Sequence, residues 1–150
     1  MSRPAAPKAH GTAVRQGEGT PVSEALRPQL EAGVAALQLE LVPAQIDALM
    51  AFIDLLQKWN KVYNLTSVRD PQEMLTHHLL DSLSALPALL HHTQGAPTRV
   101  LDVGSGGGLP GVVWAICRPE LEVTCVDAVA KKTAFVQQVS GALALVGLPT

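Results

Sequence analysis

The sequence predicts an α/β fold: an incomplete parallel sheet that opens a Rossmann-like unit, preceded by a helical N-terminal region. Three observations predict it. Arg99-Val100-Leu101-Asp102-Val103 is a β-branched and apolar run of the kind a buried strand needs. Gly104, Gly106, Gly107 and Gly108 follow at once, and Pro110 then suits the first turn of a helix, where its missing N–H is not needed. A second apolar run, Leu121 to Val126, is closed by Asp127. That places an acid about 20 residues past the glycine turn, where nucleotide-binding βαβ units keep a carboxylate for ribose hydroxyls.

The glycine spacing selects the ligand class. A dinucleotide fingerprint counted from Gly104 requires glycine at position 109, where Leu109 stands. Counted from Gly106 it reaches Gly111, but Pro110 interrupts the helix entry. A phosphate loop needs Lys and then Ser or Thr after its last glycine, and Val112-Val113 follow Gly111 instead. The pattern D-x-G-x-G-x-G, Asp102 through Gly108, does fit. It resembles the first motif of Rossmann-like S-adenosylmethionine (SAM) methyltransferases. The bland alternative is a glycine-rich turn with no ligand, and Asp127 at the matching distance argues against it.

The 150 residues suffice for one domain with a moderate core. At a formal net charge of −2 there is no global basic field, so any RNA contact must rest on a local patch. Cys117 and Cys125 lack C-x-x-C spacing and read as reduced core thiols of a cytosolic protein. No apolar run reaches the roughly 18 residues of a membrane span, and the N-terminus lacks the apolar stretch of a secretory signal. A cytoplasmic location without membrane contact is the expectation. His77, His78, Asp81, His91 and His92 invite a metal. Adjacent histidines on a helix point about 100° apart, however, and no H-E-x-x-H is present, so no metal is expected.

Residues 1–22, rich in Pro, Ala, Gly and Thr, read as a disordered tail. Residues 23–92 read as the helical region and 93–150 as the start of the Rossmann-like domain. Ser23 opens a helical pattern, weakened by Pro28 and Gly33, with Leu30, Val34 and Leu37 at helical spacing. Pro43 starts a stronger helix. Ile46, Leu49, Met50, Ile53, Leu56 and Trp59 share one face; Asp47, Asp54, Lys58 and Lys61 share the other. The segment 58–67 breaks this pattern. Trp59 and Tyr63, with the amides and lysines around them, offer stacking faces for unstacked RNA bases. They equally suit anchors beneath a helix end, with Asn64 and Thr66 capping the turn, and both readings stay open here. Asp70-Pro71-Gln72-Glu73 has the form of a capping box. Met74, Leu75, His78, Leu79, Leu83 and Leu86 continue an apolar helical face up to a loop over 93–98. After the first strand, Pro110 to Cys117 reads as a short helix stopped by Arg118-Pro119. Lys131 to Leu145 reads as the second crossover helix, with Ala134, Phe135, Gln138 and Leu145 facing a sheet and Gly147 ending it. Leu148-Pro149-Thr150 should approach a third strand.

Three words occur together and in order: K-W-N-K-V-Y-N-L-T-S-V-R-D-P (58–71), H-x-L-D-S (78–82) and D-V-G-S-G-G-G-L-P-G (102–111). They resemble the RsmG (also called GidB) family of bacterial 16S ribosomal RNA methyltransferases, over a stretch running from about Leu30 to the C-terminus. The resemblance implies a class I SAM-dependent methyltransferase that modifies the N7 of one guanine in 16S ribosomal RNA, with the RNA or the small ribosomal subunit as partner. It implies SAM contacts at Gly104 and Leu109; the loop pattern adds Gly106, and Asp127 would take the ribose. A helix starting near Pro110 would offer free N–H groups to the methionine carboxylate of SAM. Lys61, Asn64, Arg69 and His78 are the RNA-side candidates, a polar set beside Trp59 and Tyr63. No catalytic side chain is singled out, because guanine N7 is a bare acceptor with no proton to remove. The chain departs from the family's pattern at His77, where members often carry Arg. The family also normally continues past this C-terminus, so a truncated sheet with incompletely covered faces is expected. Competing readings are a SAM methyltransferase with a non-RNA acceptor, an inactive fragment acting as a binding module, and an NAD-dependent oxidoreductase, against which Leu109 argues.

Overall fold

The computed structural model describes residues 22–148, so the proposed tail lies almost wholly outside the described residues. Helix α1 (Val22–Ala36) runs through both Pro28 and Gly33 without ending at either. Packing outweighs the breakers: Leu30 and Val34 are buried, and a side chain at Gly33 would collide with Leu80, whose methyl lies 2.5 Å from the position of an added Cβ. Arg27 ties α1 to the next helix by pairing with both Glu24 and Asp47.

Helix α2 (Pro43–Tyr63) buries Ile46, Leu49, Met50, Phe52, Ile53, Leu56 and Asn60. It extends into the segment that the sequence pattern breaks, and Asn64 ends it in a left-handed conformation. Gln45 fastens its start to the rest of the molecule. The Gln45 side chain accepts from the Val42 N–H at 2.9 Å and donates to the carbonyls of Ile116 and Cys117 at 3.3 and 3.0 Å. Gln45→Ala should therefore lower the unfolding free energy by about 1–2 kcal/mol, seen as a lower denaturant midpoint at unchanged slope.

The next helical stretch is not the uniform helix its apolar spacing suggests. It comprises α3 (Pro71–Glu73), a π-helical segment (Met74–Leu80), α4 (Asp81–Ser84) and α5 (Leu86–Thr93). Asp70 stands at the cap position but its side chain makes no capping bond, so the expected box is absent; the turn closes through the Met74 N–H and the Asp70 carbonyl at 2.9 Å. The π segment buries Met74, Leu75 and Leu79, leaving Thr76 and His77 exposed and His78 half-buried.

Strands β1 (Arg99–Val103) and β2 (Glu122–Val126) pair in parallel, with Asp102 opposite Cys125. They are joined through α6 (Gly111–Cys117), and α7 (Ala130–Ala142) follows β2. The strand positions match the apolar runs to within a residue, but β1 is not buried on both faces. Leu101 is 63% and Val103 72% exposed, because the face of β1 that carries alternate residues is uncovered among the described residues. Pro110 precedes α6 rather than occupying its first turn. Helix α7 is shorter and turned relative to expectation: Phe135, Val136, Val139 and Ser140 face inward, whereas Ala134 and Gln138 are exposed and Leu145 lies beyond the helix. After α7 the chain returns to β2, where the Val123 N–H donates to the Gly147 carbonyl at 2.7 Å. That segment is turn rather than strand, no third strand is present among the described residues, and residues 149–150 lie outside the described range.

One apolar cluster joins the N-terminal helices to the βαβ unit. Phe52 of α2 meets Phe135 of α7 with ring centroids 6.2 Å apart, and Trp59 meets the same ring edge-on at 5.6 Å. Aromatic pairs at these separations stabilise beyond the area they bury. They fix α2 against the crossover helix and so set where its C-terminal end lies.

Candidate functional site

The loop after β1 is held from both strands. The N–H groups of Gly104 and Ser105 donate to the Val126 carbonyl at 2.7 and 3.1 Å. Asp127 then closes the join: Oδ2 accepts from the Gly106 N–H at 2.9 Å and Oδ1 from the Val129 N–H at 2.8 Å. These two bonds, to Val129 foremost, hold the Asp127 carboxyl below its ordinary value, so it is ionised at neutral pH. The acid at the tip of β2 and the glycine loop at the tip of β1 therefore form one rim.

The rim borders open space. A Cβ built on Gly104 or on Gly106 would meet nothing within 4 Å, so bare backbone faces outward at both positions. Leu109 is half-buried beside the loop and packs against the core. The loop is backed from below by α2, with Leu56 Cδ1 3.2 Å from a Cβ built on Gly107. Exposed backbone, an ionised carboxylate and an apolar support thus meet at one open rim. A cavity of about 200 Å³ includes Ser105, Thr124, Cys125, Thr133, Gln137 and Ser140 in its lining. Gly104, Gly106 and Asp127 do not line it; it reaches the loop only at Ser105.

Asp102 has a role that the motif does not disclose. Its Oδ2 accepts from the Gly111 N–H at 2.9 Å, locking the end of β1 to the start of α6. Burial pushes the Asp102 carboxyl up, and the Gly111 bond opposes that shift. The Val112 N–H in turn donates to the Gly108 carbonyl at 2.7 Å. The N–H groups of Gly111 and Val112, the first two of α6, are thus engaged within the protein and are not offered to a ligand's carboxylate. Position within the motif could have flagged Asp102; its partner is tertiary information.

The RNA-side candidates divide into connected and free groups. Asn64 and Arg69 meet directly, with Arg69 Nη2 donating to Asn64 Oδ1 at 2.7 Å. His78 Nε2 lies 3.0 Å from Thr66 Oγ1, and Thr66 Oγ1 also accepts from the Val68 N–H at 3.2 Å. Burial lowers the His78 pKa, so its ring is neutral at pH 7 and gives the turn shape rather than charge. Lys61 is exposed on the last turn of α2. The two aromatic residues take different positions. Trp59 is half-buried against Phe135, an anchor, while Tyr63 stacks on it at 5.1 Å and stays 45% exposed. Asn60, one of the amides that the sequence groups with Trp59 and Tyr63 as able to meet RNA bases, is instead buried, and its Oδ1 accepts from the Thr66 N–H at 2.9 Å. A polar residue on the apolar stripe of α2 was the available signal. The H-x-L-D-S word meets the βαβ unit where Trp114 Nε1 donates to the Ser82 carbonyl at 2.9 Å.

Neither thiol is set up to react: burial pushes Cys117 up to about 12 and Cys125 up to about 11. Among the described residues no helix is long and apolar enough to cross a membrane, and no three His, Cys, Asp or Glu side chains gather in a metal-binding group.

The sequence pattern of the family described as "GidB: rRNA small subunit methyltransferase G" matches residues 45–148. Among similar proteins, one from Acidovorax ebreus is 62% identical across 82% of this chain and 58% of its own length. One from Paracidovorax citrulli is 57% identical across 84% and 56%, and one from Polaromonas naphthalenivorans 59% across 82% and 58%. All three bear the name "Ribosomal RNA small subunit methyltransferase G". The chain spans little more than half the length of these curated relatives.

Proposed function

Because the chain belongs to the rRNA small subunit methyltransferase G family, we propose that it carries the cofactor loop of a SAM-dependent methyltransferase acting on the N7 of a guanine in 16S ribosomal RNA. The observation that carries this reading is the rim itself: Asp127 bonded to Gly106, beside open space at Gly104 and Gly106. Gly104, Gly106 and Leu109 would line the cofactor, and Asp127 would accept from its ribose hydroxyls. Bound SAM supplies an electrophilic methyl group whose carbon–sulfur bond breaks as the carbon–N7 bond forms, the electron pair staying on sulfur.

The rest is positioning by the chain. Guanine N7 offers a free lone pair, so no side chain has to remove a proton first. Holding reactants in line at near-attack distance can supply up to about 7–11 kcal/mol of the barrier. Leu56 beneath Gly107 and Trp59 against Phe135 couple the 58–71 segment rigidly to the cofactor loop. Lys61, Asn64 and Arg69 would meet the RNA, Lys61 and Arg69 through phosphates and Asn64 through base edges, while His78 would hold the turn through Thr66. The cytoplasm, where ribosomal subunits mature, is the matching location.

Calorimetric titration with SAM tests the cofactor reading: one site per chain is expected, and no heat would refute it. Incubation with radiolabelled SAM and unmethylated small ribosomal subunits tests the acceptor: label should appear in 16S rRNA as N7-methylguanosine.

A further inference from the structure

We propose that Asn60 is a positioning residue for the RNA-contacting turn, its buried amide setting the shape of residues 64–69. The inference rests on the RNA reading above and assigns the part that holds those groups in register.

Asn60 is 2% exposed on a helical face that is otherwise apolar. A buried amide there opposes folding unless its bonds are made. It makes them all to one place. Asn60 Oδ1 accepts from the Thr66 N–H at 2.9 Å, and Nδ2 donates to the Val68 carbonyl at 3.4 Å. The Asn60 backbone carbonyl accepts from the Asn64 N–H at 3.1 Å. One residue thus reaches positions 64, 66 and 68, alternate residues of a short reversal.

What those bonds shape is the polar set facing outward. Asn64 sits in a left-handed conformation at φ 50°, from which its Oδ1 meets Arg69. Thr66, fixed through its N–H, turns its hydroxyl to His78 and to the Val68 N–H. Leu56, one helical turn before Asn60 on the same face, supports Gly107 of the cofactor loop. Side chains four residues apart on a helix lie about 6 Å apart along its axis. Helix α2 therefore acts as a ruler with Leu56 under the methyl-donor loop and Asn60 under the acceptor-side turn. Leucine at position 60 would serve the core equally and leave the turn unheld.

The test uses the whole chain with Asn60→Leu, which keeps the branched shape and removes both side-chain bonds, and Asn60→Asp, whose carboxyl, protonated in the buried site, keeps the acceptor for Thr66 and a donor for the Val68 carbonyl. Three quantities are read: hydrogen exchange of the Thr66 amide, affinity for unmethylated small ribosomal subunits, and affinity for SAM. In Asn60→Leu the Thr66 amide should exchange faster and subunit affinity fall about tenfold, the scale of losing a pre-organised turn, while SAM affinity stays within about twofold. Asn60→Asp should restore Thr66 protection and most of the subunit affinity. Unchanged subunit affinity in Asn60→Leu overturns the inference alone, as does a parallel loss of SAM and subunit binding. A wild-type chain that does not bind the subunits overturns the RNA reading and this inference with it. Should Asn60→Leu not fold, Asn60→Ala, which removes both side-chain bonds without adding bulk, carries the same expectation. Wild-type subunit affinity in that variant overturns the proposal.

Discussion

Replacing Asp127 by alanine is expected to weaken SAM binding by at least about tenfold, the scale of one charge-assisted hydrogen bond lost. Two consequences combine. The proposed ribose acceptor disappears, and the Gly106 and Val129 N–H groups lose their common partner, so the rim is no longer drawn to the tip of β2. Asp127→Asn should not rescue it. An amide offers a single oxygen, so its NH2 group would face one of the two N–H donors. Calorimetric titration of both variants checks this, and wild-type affinity in either would remove Asp127 from the site. The same bonds set a pH dependence. The folded-state pKa of Asp127 is depressed, so its contribution to stability is complete above the unfolded carboxylate value of about 3.9. It is lost as pH falls through the lower folded value. Asp102 has the opposite sign: its carboxyl is raised, so its favourable contribution is present at low pH and fades as pH rises through the folded value. Acid unfolding of Asp127→Asn should therefore lose part of the limb below about pH 4, while Asp102→Asn leaves that limb in place.

The same asymmetry between local and tertiary information explains what was legible in the sequence. Strands β1 and β2 could be read because β-branched runs bounded by glycine and proline admit little else. The register of α7 could not. Alanine tolerates either environment, so Ala134 carried no directional signal and Gln138 was assigned inward while Val136 and Val139 take that face. The π-helical segment left no local mark, since its apolar residues also satisfy an ordinary helical spacing. Its bare-backbone neighbour, Gly33 under Leu80, is visible only once two helices meet. In the site, the loop and Asp127 were legible because their chemistry is encoded by residue type and separation. The Asp102–Gly111 lock and the Asn60 turn were not, because each depends on where a partner N–H points. The helix-end expectation met the same limit: the Gly111 and Val112 N–H groups it counted on have partners inside the protein.

Alanine substitutions at three successive glycines should separate folding from binding more sharply than any other set. Gly108 has φ +93°, a backbone conformation that disfavours a side chain. Its added Cβ would also lie 2.4 Å from a methyl of Val112, a buried residue whose branched side chain has little freedom in a helix. Strain and overpacking together should lower stability by about 2–5 kcal/mol. Gly107 has an ordinary φ, and its Cβ would meet only Leu56 Cδ1 at 3.2 Å, the end of a flexible chain. Alanine there should change stability by less than about 1 kcal/mol, because Leu56 needs to yield only slightly. Gly106 combines φ +56° with open space, so alanine should lower stability by about 1–2 kcal/mol through the backbone alone. That methyl would project into the space assigned to SAM, so Gly106→Ala should lose cofactor affinity out of proportion to its stability. Denaturant midpoints should therefore fall in the order Gly107, Gly106, Gly108, while SAM affinity among the folded variants falls most at Gly106. A Gly106→Ala chain that binds SAM as wild type does would mean that the bare backbone at this position does not face the cofactor.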